Sequence, residues 1–193
     1  MLVRRLAPAV LIIMLTVPLL TAAQNPHDAA PLLAAQREAM TPLAKIDGVW
    51  RGTATMKSPS GESRVITQTE RVGSFLDGTV KVIEGRGYDT DGKVAFNALA
   101  IVSFDPSKRT YNFRSYAQGR SGDFVFKPTE DGFTWEIPAG PMTMRYTTTI
   151  KDGTWSEIGE RVEPGKPTVQ FIELKLQRIG DSDWPAAGAV AAK

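Results

Sequence analysis

Residues 142–162 read MTMRYTTTIKDGTWSEIGERV. Two alternating runs flank Asp152-Gly153, and an Asp-Gly pair tolerates the positive φ angles of a tight two-residue hairpin turn. Such a turn leaves one register, with Lys151 opposite Thr154, Ile150 opposite Trp155, Thr148 opposite Glu157, Tyr146 opposite Gly159 and Met144 opposite Arg161. These residues, except the pair beside the turn, share one face with an apolar and aromatic bias, the expected interior. The other face collects Thr147, Thr149, Ser156 and Ile158. Arg145 faces Glu160 there as an expected solvent-side ion pair, worth about 0–1 kcal/mol.

The same grammar extends to both sides. Alternating runs are expected as strands over Val49–Met56, Ser63–Val72, Gly78–Gly87, Val94–Phe104, Thr110–Ala117, Asp123–Lys127, Phe133–Ile137, Met142–Lys151, Thr154–Val162 and Thr168–Arg178. Turn residues separate them at Pro59-Ser60-Gly61, Asp91-Gly92, Asp105-Pro106-Ser107 and Glu130-Asp131-Gly132, each supplying a preset negative φ or tolerating a positive one. An open sheet of about ten twisted strands would leave two long unpaired edges, and closure removes them. The expected fold is all-β: a single antiparallel up-and-down β-barrel of about ten strands, with a two-sheet sandwich as the alternative. The lack of helical segments between strands excludes a parallel α/β arrangement.

Residues 48–179 form the expected barrel domain. Before it, Arg4 and Arg5 precede an apolar run from Leu6 to Leu20, followed by the small residues Thr21-Ala22-Ala23. This pattern is that of a signal peptide over residues 1–23. A membrane anchor is the competing reading, but about fifteen apolar residues with two prolines fall short of the roughly twenty that span a bilayer. The arginine pair also suits a twin-arginine signal, although Leu6-Ala7-Pro8 lacks the usual polar and aromatic context. Residues 24–47 are an N-terminal segment with a short helix over Pro31–Met40, whose stripe is Leu32, Leu33, Gln36 and Met40. Thr41-Pro42 is expected to cap a further turn ending at Asp47-Gly48. Residues 180–193 are expected as a flexible tail, with Trp184 its one adhesive side chain.

Composition narrows the function. The chain has 193 residues, 42% hydrophobic and 23% charged, with 23 Lys and Arg against 21 Asp and Glu. Loss of Arg4 and Arg5 with the expected signal brings the mature chain to charge balance. No basic excess then remains for nucleic acid. Cysteine is absent, which excludes disulfides, thiolate metal sites and thiol nucleophiles. The expected location is periplasmic or secreted, with no transmembrane segment once the signal is removed.

Gly48-Val49-Trp50 is the G-x-W that opens the first strand of lipocalin-type barrels. Gly48 allows a tight passage at the floor, Trp50 closes that end, and by strand order Arg178 is placed to lie across the indole. These three are expected to be structural. More broadly, Trp50-Arg51-Gly52, Ser58-Pro59-Ser60-Gly61 and Phe104-Asp105-Pro106 with Lys108 and Tyr111 resemble the exported bacterial calycin-like (lipocalin-like) β-barrel family of unknown function, over about residues 40–180. That family tends to place glycine and tyrosine before the aspartate, where this chain has Ser103 and Phe104. The resemblance implies a barrel and supplies no activity.

Searches for chemistry narrow further. Haem-binding barrels of similar shape use a histidine on iron, and the one histidine is His27, beside the expected cleavage site. One histidine also forbids a metal-binding pair. Asp89-Thr90-Asp91-Gly92 starts like a calcium loop, but Ala100 stands where the bidentate acid belongs. Gly119-Arg120-Ser121-Gly122 fails as a nucleophile elbow because Asp123 takes the second glycine's place. No cofactor and no metal are expected. Glu157 stands apart, a carboxylate on an interior face beside Tyr146 and Trp155. It sits at a wet mouth, pairs with Arg161, or contacts a ligand. The alternating aromatics Tyr111/Phe113, Phe124/Phe126 and Phe133/Trp135 suit a packed core and a ligand cavity equally.

Three readings follow. An exported barrel holds a small hydrophobic or amphipathic ligand, with Trp50, Tyr146, Trp155 and Glu157 lining or guarding the cavity. Alternatively, it is a structural or interaction protein of the cell envelope without a small ligand. An enzyme using Glu157 with Tyr146 as proton donor is the least favoured.

Overall fold

The computed structural model describes residues 29–187 and residue 190, so the expected signal peptide lies outside the described residues. Ten strands follow one another as an antiparallel meander: β1 Gly48–Lys57, β2 Ser63–Phe75, β3 Val80–Tyr88, β4 Val94–Asp105, β5 Thr110–Ala117, β6 Arg120–Pro128, β7 Gly132–Ala139, β8 Met142–Lys151, β9 Thr154–Val162 and β10 Val169–Gly180. β1 pairs with both β2 and β10, which closes the barrel and leaves no free edge. The expected fold class is therefore the observed one, and the two-sheet alternative falls.

The hairpin at Asp152-Gly153 has the register its sequence implies, from Lys151 opposite Thr154 to Met144 opposite Arg161. Both turn residues have positive φ, 50° and 70°. The ion pair on its outer face differs from expectation. Arg145 is flanked by Glu160 on β9 and Glu136 on β7. Its Nε donates to Glu136 Oε1 at 2.9 Å.

Several strand boundaries differ from those expected. Gln118 and Gly119 have φ of 50° and 76° and make a second tight turn, so β6 starts at Arg120 instead of Asp123. Pro138-Ala139 continue β7 before a turn at Gly140-Pro141. Leu76, Asp77 and Gly78 all have positive φ (50°, 54° and 84°), which places Gly78 in a turn rather than at a strand start and lets β2 run on to Phe75.

The N-terminal segment closes one end. Helix α1, Ala29–Met40, leads into a 3-10 turn over Thr41–Ile46 with Pro42 in its first turn. The Thr41 hydroxyl donates back to the Arg37 carbonyl at 3.3 Å and caps nothing. Only the C-terminal half of α1 docks: Gln36 Nε2 donates to the Phe104 carbonyl at 3.2 Å, and the Tyr111 hydroxyl donates to the Ala39 carbonyl at 2.6 Å. Leu32 and Leu33 remain exposed, against the expected stripe, while Met40, Leu43 and Ile46 are buried as a plug in the main core. Beneath the plug, Lys81 is 1% exposed and donates to Asp47 Oδ1 and Oδ2 at 2.6 and 2.7 Å and to Ser74 Oγ at 2.8 Å.

In the tail, Trp184 packs against β2. The Arg71 guanidinium lies 4.3 Å from the centre of its ring. A Cβ at Gly73 would stand 1.8 Å from the Trp184 carbonyl oxygen, so only glycine admits this approach.

Candidate functional site

The site is built upward from the plugged end. Gly48, at φ 125°, has the Gly180 carbonyl and the Arg178 guanidinium where a Cβ would stand, at 2.7 and 2.8 Å. Trp50 is 1% exposed and its indole N–H donates to the Ile46 carbonyl at 2.9 Å. It is a floor, not a cavity wall. Arg178 is the cross-strand partner of Trp50, but its Nε and Nη2 both donate to the Asp47 carbonyl at 3.2 Å, and it pairs with Asp181. The cation–ring contacts among the described residues involve Arg71, Arg114 and Arg161. The expected stacking of Arg178 on Trp50 is thus replaced by a clamp on the backbone that enters β1.

Rings pack over that floor. Trp155 lies between Trp50 and Phe133, edge-on to each at 5.6 and 5.8 Å between centroids. Phe133, Phe126 and Phe113 continue as a stack at 5.0 and 5.4 Å. The Trp155 indole nitrogen is buried without a hydrogen-bond partner. An unmet buried donor costs about 1–3 kcal/mol.

Two carboxyls share the same interior. Glu70 on β2 has Trp50 as its partner on β1 and Gly85 on β3. A Cβ at Gly85 would come within 2.8 and 2.9 Å of the two Glu70 oxygens, so the absent side chain is the room the carboxyl occupies. Gln68 Nε2 donates to Glu70 Oε1 at 2.7 Å. Glu157 on β9 accepts from Thr148 Oγ1 at 2.5 Å, across the β8–β9 pair. Glu70 is 8% exposed and Glu157 is 9% exposed.

Burial pushes both acids above the usual carboxylate range. Glu70 is pushed up to about 8, its desolvation opposed by the Gln68 hydrogen bond and reinforced by the charges of Glu157 and Glu84. Glu157 is raised by desolvation, against hydrogen bonds from Thr148 and Trp135. Tyr146 stacks flat on Trp135 at 4.0 Å, and burial together with the Glu157 charge pushes its phenol up to about 12. At neutral pH Glu70 is chiefly the neutral acid, a donor as well as an acceptor.

Arg161, the expected partner of Glu157, instead lies 5.4 Å over the ring of Phe171. The wet-mouth and Arg161-paired readings of Glu157 both give way to burial against Thr148. Of the expected ligand residues, Tyr146, Trp155 and Glu157 converge on the interior above the floor, and Trp50 does not. The sequence does not single out Glu70 and Gln68, because β2 carries polar residues on both faces, Gln68 and Glu70 on one and Thr67, Thr69 and Arg71 on the other. The usable clue was Gly85 on the neighbouring strand, a missing side chain opposite a carboxylate. Two surface hollows, about 580 Å³ by Arg86, Leu99 and Tyr116 and about 610 Å³ by the β1–β2 turn, are lined by neither acid.

These features define a closed ten-stranded antiparallel barrel with an acid pair in an aromatic interior. Among solved structures the chain is similar to Rv2717c from M. tuberculosis, with 13% identity, a TM-score of 0.55, and coverage of 73% of this chain and 97% of that one. At that identity the likeness extends to the barrel fold. No protein-family model and no curated protein matches the chain.

Proposed function

We propose that this protein is an exported calycin-like barrel that binds a small amphipathic molecule in its interior, contacting Glu70, Tyr146, Trp155 and Glu157. The observation that carries the reading is polar demand inside an aromatic core. Two buried carboxyls receive one side-chain hydrogen bond each, and the Trp155 N–H has no acceptor. Burying such groups is costly unless a partner answers them. A ligand with polar atoms at one end and an apolar body would answer them while covering the rings. The N-terminal Arg-Arg and apolar run support export, and G-x-W with the Asp105-Pro106 turn supports the family.

Native mass spectrometry of the protein purified from its own cells tests this directly. The expected result is a noncovalent small-molecule adduct that leaves on unfolding and is depleted in Glu157→Gln. A bare polypeptide mass under gentle conditions would overturn the reading. The competing role, an envelope interaction protein without a small ligand, draws its support from exposed Leu32, Leu33, Phe75 and Leu76 at the plugged end. Arg37 Nε holds those two segments together through the Asp77 carbonyl at 2.8 Å.

A further inference from the structure

We infer, on the reading that the interior takes a small amphipathic molecule, that the molecule carries a protonated amine received by Glu70 and Glu157. Charge accounting leads there. The barrel's cations near the interior are committed elsewhere: Lys81 to Asp47 and Ser74, Arg178 to the Asp47 carbonyl, and Arg161 to the face of Phe171. Both acids therefore draw their side-chain hydrogen bonds from neutral groups, Gln68 for Glu70 and Thr148 for Glu157.

A carboxylate headgroup is disfavoured in this setting, because the Glu157 charge already opposes ionisation of Glu70 and a further anion in the same poorly solvated space meets the same opposition. An ammonium is attracted. On binding, a protonated carboxyl releases its proton to solvent and the resulting carboxylate pairs with the ammonium.

The orphaned Trp155 N–H is a second and independent observation. Its ring touches Trp50, the strand partner of Glu70, and Phe133, the strand partner of Thr148 that holds Glu157. It therefore belongs to the ring layer adjoining both acids and requires an acceptor. The amine-bearing molecule accordingly also carries a hydroxyl, ether or carbonyl oxygen.

Tryptophan fluorescence titrations with octylamine, octan-1-ol and octanoate separate the headgroup from the chain. Octylamine is expected to bind at least about tenfold more tightly than either other probe. The Glu70→Gln/Glu157→Gln double variant, checked for native circular dichroism, should lose that preference while keeping its affinity for octanol. Octanol or octanoate binding as tightly as octylamine would overturn the amine inference and leave the cavity reading standing. Binding of none of the three overturns the amine inference, and a bare native mass alongside it removes the cavity reading as well.

Discussion

Glu70 on β2 and Glu157 on β9 share the barrel interior with only β1 and β10 between their strands, and the charge of Glu157 opposes ionisation of Glu70. The barrel thus closes around groups that favour water, which costs free energy wherever no partner answers them.

That pair sets a pH dependence. Folded Glu70 holds its proton up to about pH 8, against an ordinary value of 4.5. Its contribution is complete below the unfolded value and is lost as pH rises through the folded one. One such group gives a slope of up to about 1.4 kcal/mol per pH unit across that window. Urea midpoints taken from pH 4.5 to 8 should fall for the wild type and fall less steeply for Glu70→Gln; equal slopes would place Glu70 in water.

Gly85→Ala puts a methyl group into the Glu70 carboxyl. Overpacking of this kind costs about 1–3 kcal/mol. Chemical denaturation should show that loss, and the Gly85→Ala/Glu70→Ala double variant should recover part of it, as coupled neighbours do.

Trp50 and Trp155 touch each other but answer differently to phenylalanine. Trp50→Phe strands the buried Ile46 carbonyl that the indole N–H now satisfies. Trp155→Phe removes a donor that has no partner in the protein. In ligand-free protein Trp155→Phe should therefore be less destabilising by about 1–2 kcal/mol, read from paired urea curves.

At the plugged end, the Lys81 ammonium depends on Asp47. Asp47→Ala leaves that cation buried with Ser74 alone, a loss of about 3–5 kcal/mol. Lys81→Met removes the charge with the need for it and should cost markedly less. Thermal melts of the two variants, side by side, decide the order.

Legibility tracked how many neighbours decide a position. Asp152-Gly153 specifies its hairpin from two residues, and the register followed without error. Gln118-Gly119 carries a weak turn signal because glutamine is not a habitual positive-φ residue, so the expected β6 begins later than the observed one. Arg145 has an acid on each side, and nothing local chooses Glu136 over Glu160. Arg178 was rightly placed beside Trp50, but its donors went to a backbone carbonyl that only the folded entry into β1 presents. Glu70 depends on three strands at once, so no single run of sequence displays its burial.

The central claim is that the barrel interior keeps carboxyls away from water. Carbon-13 NMR of protein labelled at glutamate Cδ, titrated from pH 3 to 10, measures it directly. A resonance titrating near 8 and missing from Glu70→Gln is the predicted result. If every glutamate titrates below about 5, as solvated carboxyls do, the acid pair is exposed and the interior site falls with it.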